Sequence, residues 1–281
     1  MNDEPLQTIL DCMPPNPGSS NIQPIQTAHR LKLAEFWEIN AGSKILEIGC
    51  GQGDTTAVLA YMVGEKGFVH GVDIAPPTYG SPITVGDSAK YLQASSLGQR
   101  MIMEYEVDVS SPETDFQEQS FDIIVLSHCS WYFKSTEELK EVLRKTRKWG
   151  KRLCFAEWDP RIQTIEQLPH LLATLIQAQY EVFKENSSSN LRTFITPNDV
   201  RTITQEAGWT ITDEQVISSP NLQDAQWEVS MTLMDSPNQI AKLTHLPTKL
   251  NSLIHSELDL LEESAQGKTL HAMSTFTFIA H

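Results

Sequence analysis

The stretch Lys44–Thr55 reads KILEIGCGQGDT: a short apolar run enters glycines at 49, 51 and 53, and a helical pattern follows from Asp54. Three residues without side chains at alternate positions let the chain turn sharply and leave bare backbone for a ligand to approach. The helix expected over Asp54–Val63 would present free N–H groups and positive dipole character at the same spot. The spacing is Gly-x-Gly-x-Gly, not the Gly-x-Gly-x-x-Gly of a dinucleotide fold. A plain tight turn would use the same glycines, so the neighbouring residues have to decide.

Glu47 stands in a strand otherwise made of Ile, Leu and Ile. A carboxylate buried there without a partner would be destabilised by several kcal/mol, on the order of 3–5. A cationic ligand group would serve as that partner. Asp73 ends a second apolar run, Gly67–Ile74, where its carboxylate can accept hydrogen bonds from both hydroxyls of a ribose. Asp108 closes a third run, Met101–Val107, and its side chain can reach the amino group of a purine. Each acid alone reads equally as a polar strand end. At the carboxyl ends of successive parallel strands they mark the crevice where such sheets bind ligands.

Short apolar runs alternate with helical stretches through the first half, the pattern of a parallel sheet with crossover helices. Thr27–Glu38 predicts a leading helix and residues 1–26 an arm, interrupted by Pro14-Pro15-Asn16-Pro17-Gly18 and either loose or draped over the domain. Further helices are expected at Ser88–Ser95 and Glu137–Trp149, with strands at Phe121–Ser127 and Arg152–Glu157. Ile162–Lys184 reads as helical with a break near Pro169, and Thr196-Pro197-Asn198-Asp199 starts a helix that should stop at Gly208. Trp209–Ser218 and Thr269–Ala280 predict the final strands. The stretch between them, Ser219–Lys268, reads as mostly helical, too long to be a mere connection.

A formal charge of -15, from 36 acidic against 21 basic residues, disfavours nucleic acid or an anionic membrane as the main partner. No apolar run of membrane-spanning length is present, and the acidic opening MNDEPLQ argues against a secretory signal. The 4 cysteines are far apart without metal-ligand spacing, so no metal is expected and the thiols read as reduced, in a cytoplasmic protein.

KILEIGCGQGDTT, GVDIA, EVDVS and FDIIVLSHCSWYF, in that order and at those separations, resemble the class I S-adenosylmethionine-dependent methyltransferases of small-molecule type. The resemblance covers roughly Thr27–Trp158. It implies an α/β, Rossmann-like seven-stranded sheet whose last strand is antiparallel, in a domain spanning 27–281 with helical cap insertions at about 161–195 and 219–268. It also implies S-adenosylmethionine as cofactor. Glu47, Gly49, Gly51 and Gly53 would surround its amino-acid end, Asp73 would hold the ribose, Ile74 would pack on the adenine, and Asp108 with Val109 would fix the adenine edge. Ser127 and His128 would lie near the sulfonium. One departure is Ala75-Pro76-Pro77-Thr78-Tyr79-Gly80-Ser81-Pro82, where the family enters a helix; an extended loop is expected here.

Methyl transfer from a sulfonium is an in-line displacement with an activated leaving group, so the protein chiefly aligns the nucleophile, excludes water and, for a hydroxyl, removes a proton. His128 is the first candidate base, with a loop hydrogen bond as its alternative. His29, on the leading helix, is the second, with a surface position as its alternative. Trp131, Tyr132 and Trp158 are candidate substrate walls that could equally be packing residues. Trp227, Met231, Met234 and His245 are candidate lining residues in the second insertion. The function expected is methyl transfer to an O, N or S atom of a small molecule of specialised metabolism, with an aromatic compound as one candidate acceptor. The alternatives are a cyclase or isomerase on the same fold, or a non-catalytic cofactor-binding protein.

Overall fold

The computed structural model describes residues 4–15, 21–185, 187 and 189–281. In chain order the regular elements are α1 (Glu4–Leu10), α2 (Ile22–Phe36), β1 (Lys44–Ile48), α3 (Asp54–Val63), β2 (Phe68–Val72), α4 (Val85–Ala94), β3 (Met101–Glu104) and β4 (Phe121–Ser127). They continue with α5 (Thr136–Trp149), β5 (Gly150–Asp159), α6 (Leu168–Glu181), α7 (Pro197–Glu206), β6 (Ile211–Ile217), α8 (Asp224–Ala241), α9 (Thr248–Ala265) and β7 (Ser274–Ala280).

The seven strands form one sheet in the order β3-β2-β1-β4-β5-β7-β6, parallel except for β7, which runs antiparallel to both its neighbours. The order reverses between β1 and β4, which opens a crevice at their carboxyl ends. Strands covered on both faces have no solvent side to alternate toward, and β7 is buried at every position. One core, around Trp37, Leu33 and Leu59, lies under α1–α4; the other, around Trp149, Phe155, Phe278 and Trp209, lies under α5 and α7.

Several boundaries differ from those read in the sequence. α2 begins at Ile22, because Pro24 falls in the first helical turn, where a missing N–H removes no bond. In the arm, Ile9 of α1 and Cys12 and Met13 of the turn after it dock into the core, while residues 16–18 of the expected break lie outside the described residues. β3 stops at Glu104, since Glu106 takes a left-handed φ of 61° that ends the ladder. Asp108 therefore sits in the following turn and not at a strand end. Pro169 opens α6 instead of breaking a helix, after a 3-10 turn capped by Thr164 and Gln167.

α6, α8 and α9 pack around Ile176, Tyr180, Val229, Ile254 and Leu261 as a separate helical cover. Trp227, Met231 and Met234 lie on the outer face of α8, 59%, 52% and 69% exposed, and His245 lies exposed in the α8–α9 turn, so none of the four lines an interior pocket. No helix among the described residues is long and apolar enough to cross a membrane.

Candidate functional site

Between β1 and α3 the glycine loop holds Gly49, Gly51 and Gly53 at positive φ. A side chain at Gly51 would meet nothing within 4 Å, so this position opens onto free space in the crevice. A Cβ at Gly53 would instead approach Leu92 Cδ1 to 2.5 Å and Met103 Cε to 2.8 Å. Gly53→Ala is therefore expected to destabilise the fold by about 1–3 kcal/mol through overpacking and its left-handed φ, read as a lowered midpoint in urea unfolding.

The loop is fixed from one flank. Gly51 N–H donates to Asp73 Oδ2 at 2.8 Å, and Ala75 N–H donates to Asp73 Oδ1 at 2.8 Å. Tyr105 donates its hydroxyl to the carbonyls of Gly51 and Val85 at 3.0 and 2.9 Å. Gln52 Nε2 donates to Ile83 O at 2.6 Å, tying the proline-rich segment after β2 to the glycine loop. That segment is non-helical, as its prolines require, but turned and not extended, with the Tyr79 N–H donating to Pro76 O at 2.9 Å, and it exposes Ile74 and Tyr79. Asp108 Oδ1 accepts from the Ser110 N–H and hydroxyl at 2.8 and 2.6 Å. Burial opposes its ionisation, but the bonds from Ser110 and Ser111 outweigh it and hold the carboxyl below its ordinary range. Val109 packs in the core, and its carbonyl accepts from Lys145 Nζ at 2.9 Å.

Glu47 is 2% exposed, and its one hydrogen bond is from the Thr56 hydroxyl at 2.6 Å. Burial pushes its carboxyl up to about 8, against the opposing pull of Thr56 and Arg30. Arg30, from α2, donates through Nη1 to the Gln26 carbonyl and side chain, but its buried Nε–H has no partner. A half-satisfied acid and a half-satisfied guanidinium beside open glycine backbone match the ammonium and carboxylate of an amino-acid ligand. Arg30 was not singled out in the sequence, because its relation to Glu47 depends on where α2 docks.

His128, just past the end of β4, gathers with Glu157 and Trp158 near the end of β5, His29 of α2 and His170 of α6. His128 Nε2 is 3.3 Å from His29 Nε2, and His128 Nδ1 is 3.6 Å from Glu157 Oε1. Both candidate bases are thus brought together. His29 is 2% exposed, which removes its surface reading, and burial followed by the charge of His128 lowers its pKa well below the ordinary value. His29 Nδ1 lies 3.0 Å from Ser219 Oγ, and its Nε2 also lies 3.3 Å from Thr275 Oγ1. The Trp158 ring centroid is 4.6 Å from that of His128 and 5.1 Å from that of His170. Ser127 Oγ is buried without a partner.

Of the three aromatic walls expected, Trp158 and Tyr132 are partly exposed, the latter 42%. Trp131 is instead a packing residue, 4% exposed, with its indole N–H donating to Ile195 O at 3.0 Å. It anchors the segment before α7, whose Arg192 and Thr193 N–H groups donate to its carbonyl. Glu157 and His170 escaped the sequence reading. Glu157 carries the same signal as Glu47, an acid inside an apolar strand, whereas nothing local distinguishes His170 or Thr275. An apolar hollow of about 570 Å³ lies away from this chemistry, on α6 and α9 around Leu172, Leu175 and Leu250.

A sheet with its antiparallel strand second from the edge, a glycine loop after β1 and acids after β2 and β3 define a methyltransferase-type α/β fold. Residues 39–208 match the family described as a methyltransferase domain, and the chain belongs to that family. It is 36% identical to a crystallised cyclopropane-fatty-acyl-phospholipid synthase-like protein from Lactobacillus casei ATCC 334, over 99% of both chains, with a TM-score of 0.87. It is also 33% identical over 155 residues to methyltransferase phomM' of Diaporthe leptostromiformis, covering 48% of this chain and 40% of that one. Aklanonic acid methyltransferase DauC of Streptomyces sp. strain C5 is 33% identical over 145 residues, covering 52% of this chain and 61% of that one. The matched stretch thus spans about half the length of these curated relatives.

Proposed function

We propose that the protein binds S-adenosylmethionine at the glycine loop and transfers its methyl group to an O, N or S atom of a small-molecule acceptor. The observation that carries this reading is Glu47, a buried carboxyl whose one hydrogen bond among the described residues is from the Thr56 hydroxyl, within the electrostatic reach of Arg30, whose buried Nε–H has no partner there. When bound, the cofactor supplies a methyl group on a sulfonium, a leaving group that needs no acid. Glu47 takes the ammonium and Arg30 the carboxylate, while Gly49 and Gly53 shape the turn and Gly51 admits the ligand. Asp73 turns to the ribose, with Ile74 against the adenine and Asp108 and Val109 at its edge. Ser127 and His128 stand at the reacting end.

Tyr132 and Trp158 orient the acceptor, and the helical cover excludes water. The acceptor is a small molecule, in keeping with the acidic net charge and with an aklanonic acid methyltransferase among the relatives; a place in specialised metabolism, in a cytoplasmic setting, is part of the same proposal. The catalytic unit is taken as 27–281, with 1–26 as an arm.

Equilibrium dialysis with labelled S-adenosylmethionine tests the cofactor directly. Wild-type protein should take up one equivalent, and Asp73→Ala should weaken binding about 10–100-fold, the worth of hydrogen bonds to a charged group. No uptake by folded wild-type protein would reject the reading.

A further inference from the structure

The ring of His128 cannot serve as a base in a disordered way, because both its nitrogens already face protein groups. Its backbone takes a left-handed φ of 52°, which sends the side chain off the end of β4 toward β5 and α2. There it meets Glu157, whose carboxylate is immobilised: Oε2 accepts from the Ser130 N–H and hydroxyl at 2.9 and 2.7 Å, and Oε1 accepts from Trp158 N–H at 3.0 Å. His128 Nδ1 is buried without a hydrogen-bond partner among the described residues and faces Glu157 Oε1 at 3.6 Å; a lone pair there would confront the carboxylate, so a neutral ring places its proton on Nδ1 and leaves Nε2 with a lone pair.

His29 completes the frame. Buried and neutral, it carries one proton; with the His128 Nε2 lone pair 3.3 Å from its own Nε2, that proton is placed on Nε2, which leaves Nδ1 to accept from the Ser219 hydroxyl at 3.0 Å. His29 Nε2–H then has two acceptors at the same distance of 3.3 Å, His128 Nε2 and Thr275 Oγ1. His170 is the third imidazole near His128. Its Nδ1 accepts from Met273 N–H at 3.0 Å, and burial holds the ring neutral with a pKa down to about 3, so it adds no charge.

We propose that Glu157 and His29 are positioning residues that present the His128 Nε2 lone pair to an acceptor bearing an O–H group, an alcohol, phenol or enol. His29 caps that lone pair until the acceptor hydroxyl arrives, then turns its N–H to Thr275. This rests on the methyl-transfer reading above. The acceptor oxygen gains the methyl carbon as that carbon's bond to sulfur breaks, the bonding pair stays on sulfur, and the O–H proton passes to His128 Nε2. The imidazolium so formed points its Nδ1–H at Glu157. A thiolate or neutral amine acceptor would leave this apparatus without work, since neither must lose a proton to become a nucleophile.

The experiment is nitrogen NMR of the full chain labelled with 15N-histidine, with phenol as probe. In the free protein His128 should carry its proton on Nδ1 and His29 on Nε2. Phenol should shift His128 Nε2 and the His29 Nε2–H together. Glu157→Gln should admit the Nε2–H tautomer of His128, read from its ring nitrogen shifts, which loss of mere packing would not do. If that variant fails to fold, Thr275→Val supplies the test, and phenol should then perturb His29 at least about fivefold less readily, the loss of one neutral hydrogen bond.

Finding the His128 proton on Nε2, an unchanged His128 tautomer in Glu157→Gln, an unaltered phenol response in Thr275→Val, or silence toward phenol in wild-type protein would each overturn the inference. Labelled S-adenosylmethionine dialysis separates the two readings. Correct tautomers and phenol response without cofactor uptake would sink the methyl-transfer reading alone.

Discussion

Gly51→Val should reduce affinity for S-adenosylmethionine about a hundredfold or more, a loss of about 3 kcal/mol, while the fold survives. The new side chain would project where the free protein has no atom within 4 Å, so it collides with the ligand and with nothing else. The backbone penalty for a branched residue at φ 51° is about 1–2 kcal/mol, which a domain of this size tolerates. Calorimetric titration with S-adenosylhomocysteine beside a thermal melt checks both halves. Unchanged affinity in the folded variant would remove the pocket from the glycine loop. The contrast with Gly53, where the obstruction is the protein's own Leu92 and Met103, shows that adjacent glycines in one motif answer to different demands.

Glu47→Gln should stabilise the ligand-free protein and weaken the liganded one. The carboxyl of Glu47 has an ordinary value of 4.5 and is pushed up to about 8 by burial. The folded state therefore keeps its proton while the unfolded chain gives it up. Stability from this group is fully present below pH 4.5 and is lost as pH rises toward about 8. An amide of the same shape carries no such liability, so the variant should be more stable by a few kcal/mol, on the order of 2–5, at pH 9. Denaturant melts at pH 5 and pH 9 read the difference. Affinity for S-adenosylmethionine should fall about 10–100-fold, because the ammonium loses a charged partner. At pH 7 wild-type binding should also release a proton, seen as a binding heat that varies with the buffer. A variant that melts identically at pH 9, or binds as tightly, would show that Glu47 is satisfied within the protein.

The alternation of strands and crossover helices was legible because short apolar runs and helical stretches follow one another along the first half of the chain. Glu47 was legible as a lone acid among Ile and Leu. Glu157 sat in the equally apolar CFAEWD and announced itself the same way, yet its function depends on Ser130 and His128, which only the pairing of β4 with β5 brings near. His29 and His128 could each be proposed from position along the chain. Their meeting could not, since it depends on how α2 crosses the end of the sheet. The third strand was read too long because Tyr105–Val107 continues the alternation of MIME, and no side chain reveals in advance that Glu106 will turn left-handed. In α8, Trp and Met at helical spacing suggested a lining, but the inward face is Val229 and Ile240, and the larger residues point outward.

The place of β7 has a consequence for how the molecule assembles. β6 has no neighbour in the sheet except β7, and β7 reaches the rest only through β5. Until Leu153 and Ala280 come together, a closure across about 130 residues, β6 has nothing to join. Folding should therefore pass a late, slow stage in which a parallel half-sheet already stands and an antiparallel ribbon must still dock onto its flank. Thr275, carried on that ribbon, is then among the last groups to arrive, so the chemistry at His29 waits on the final step of construction.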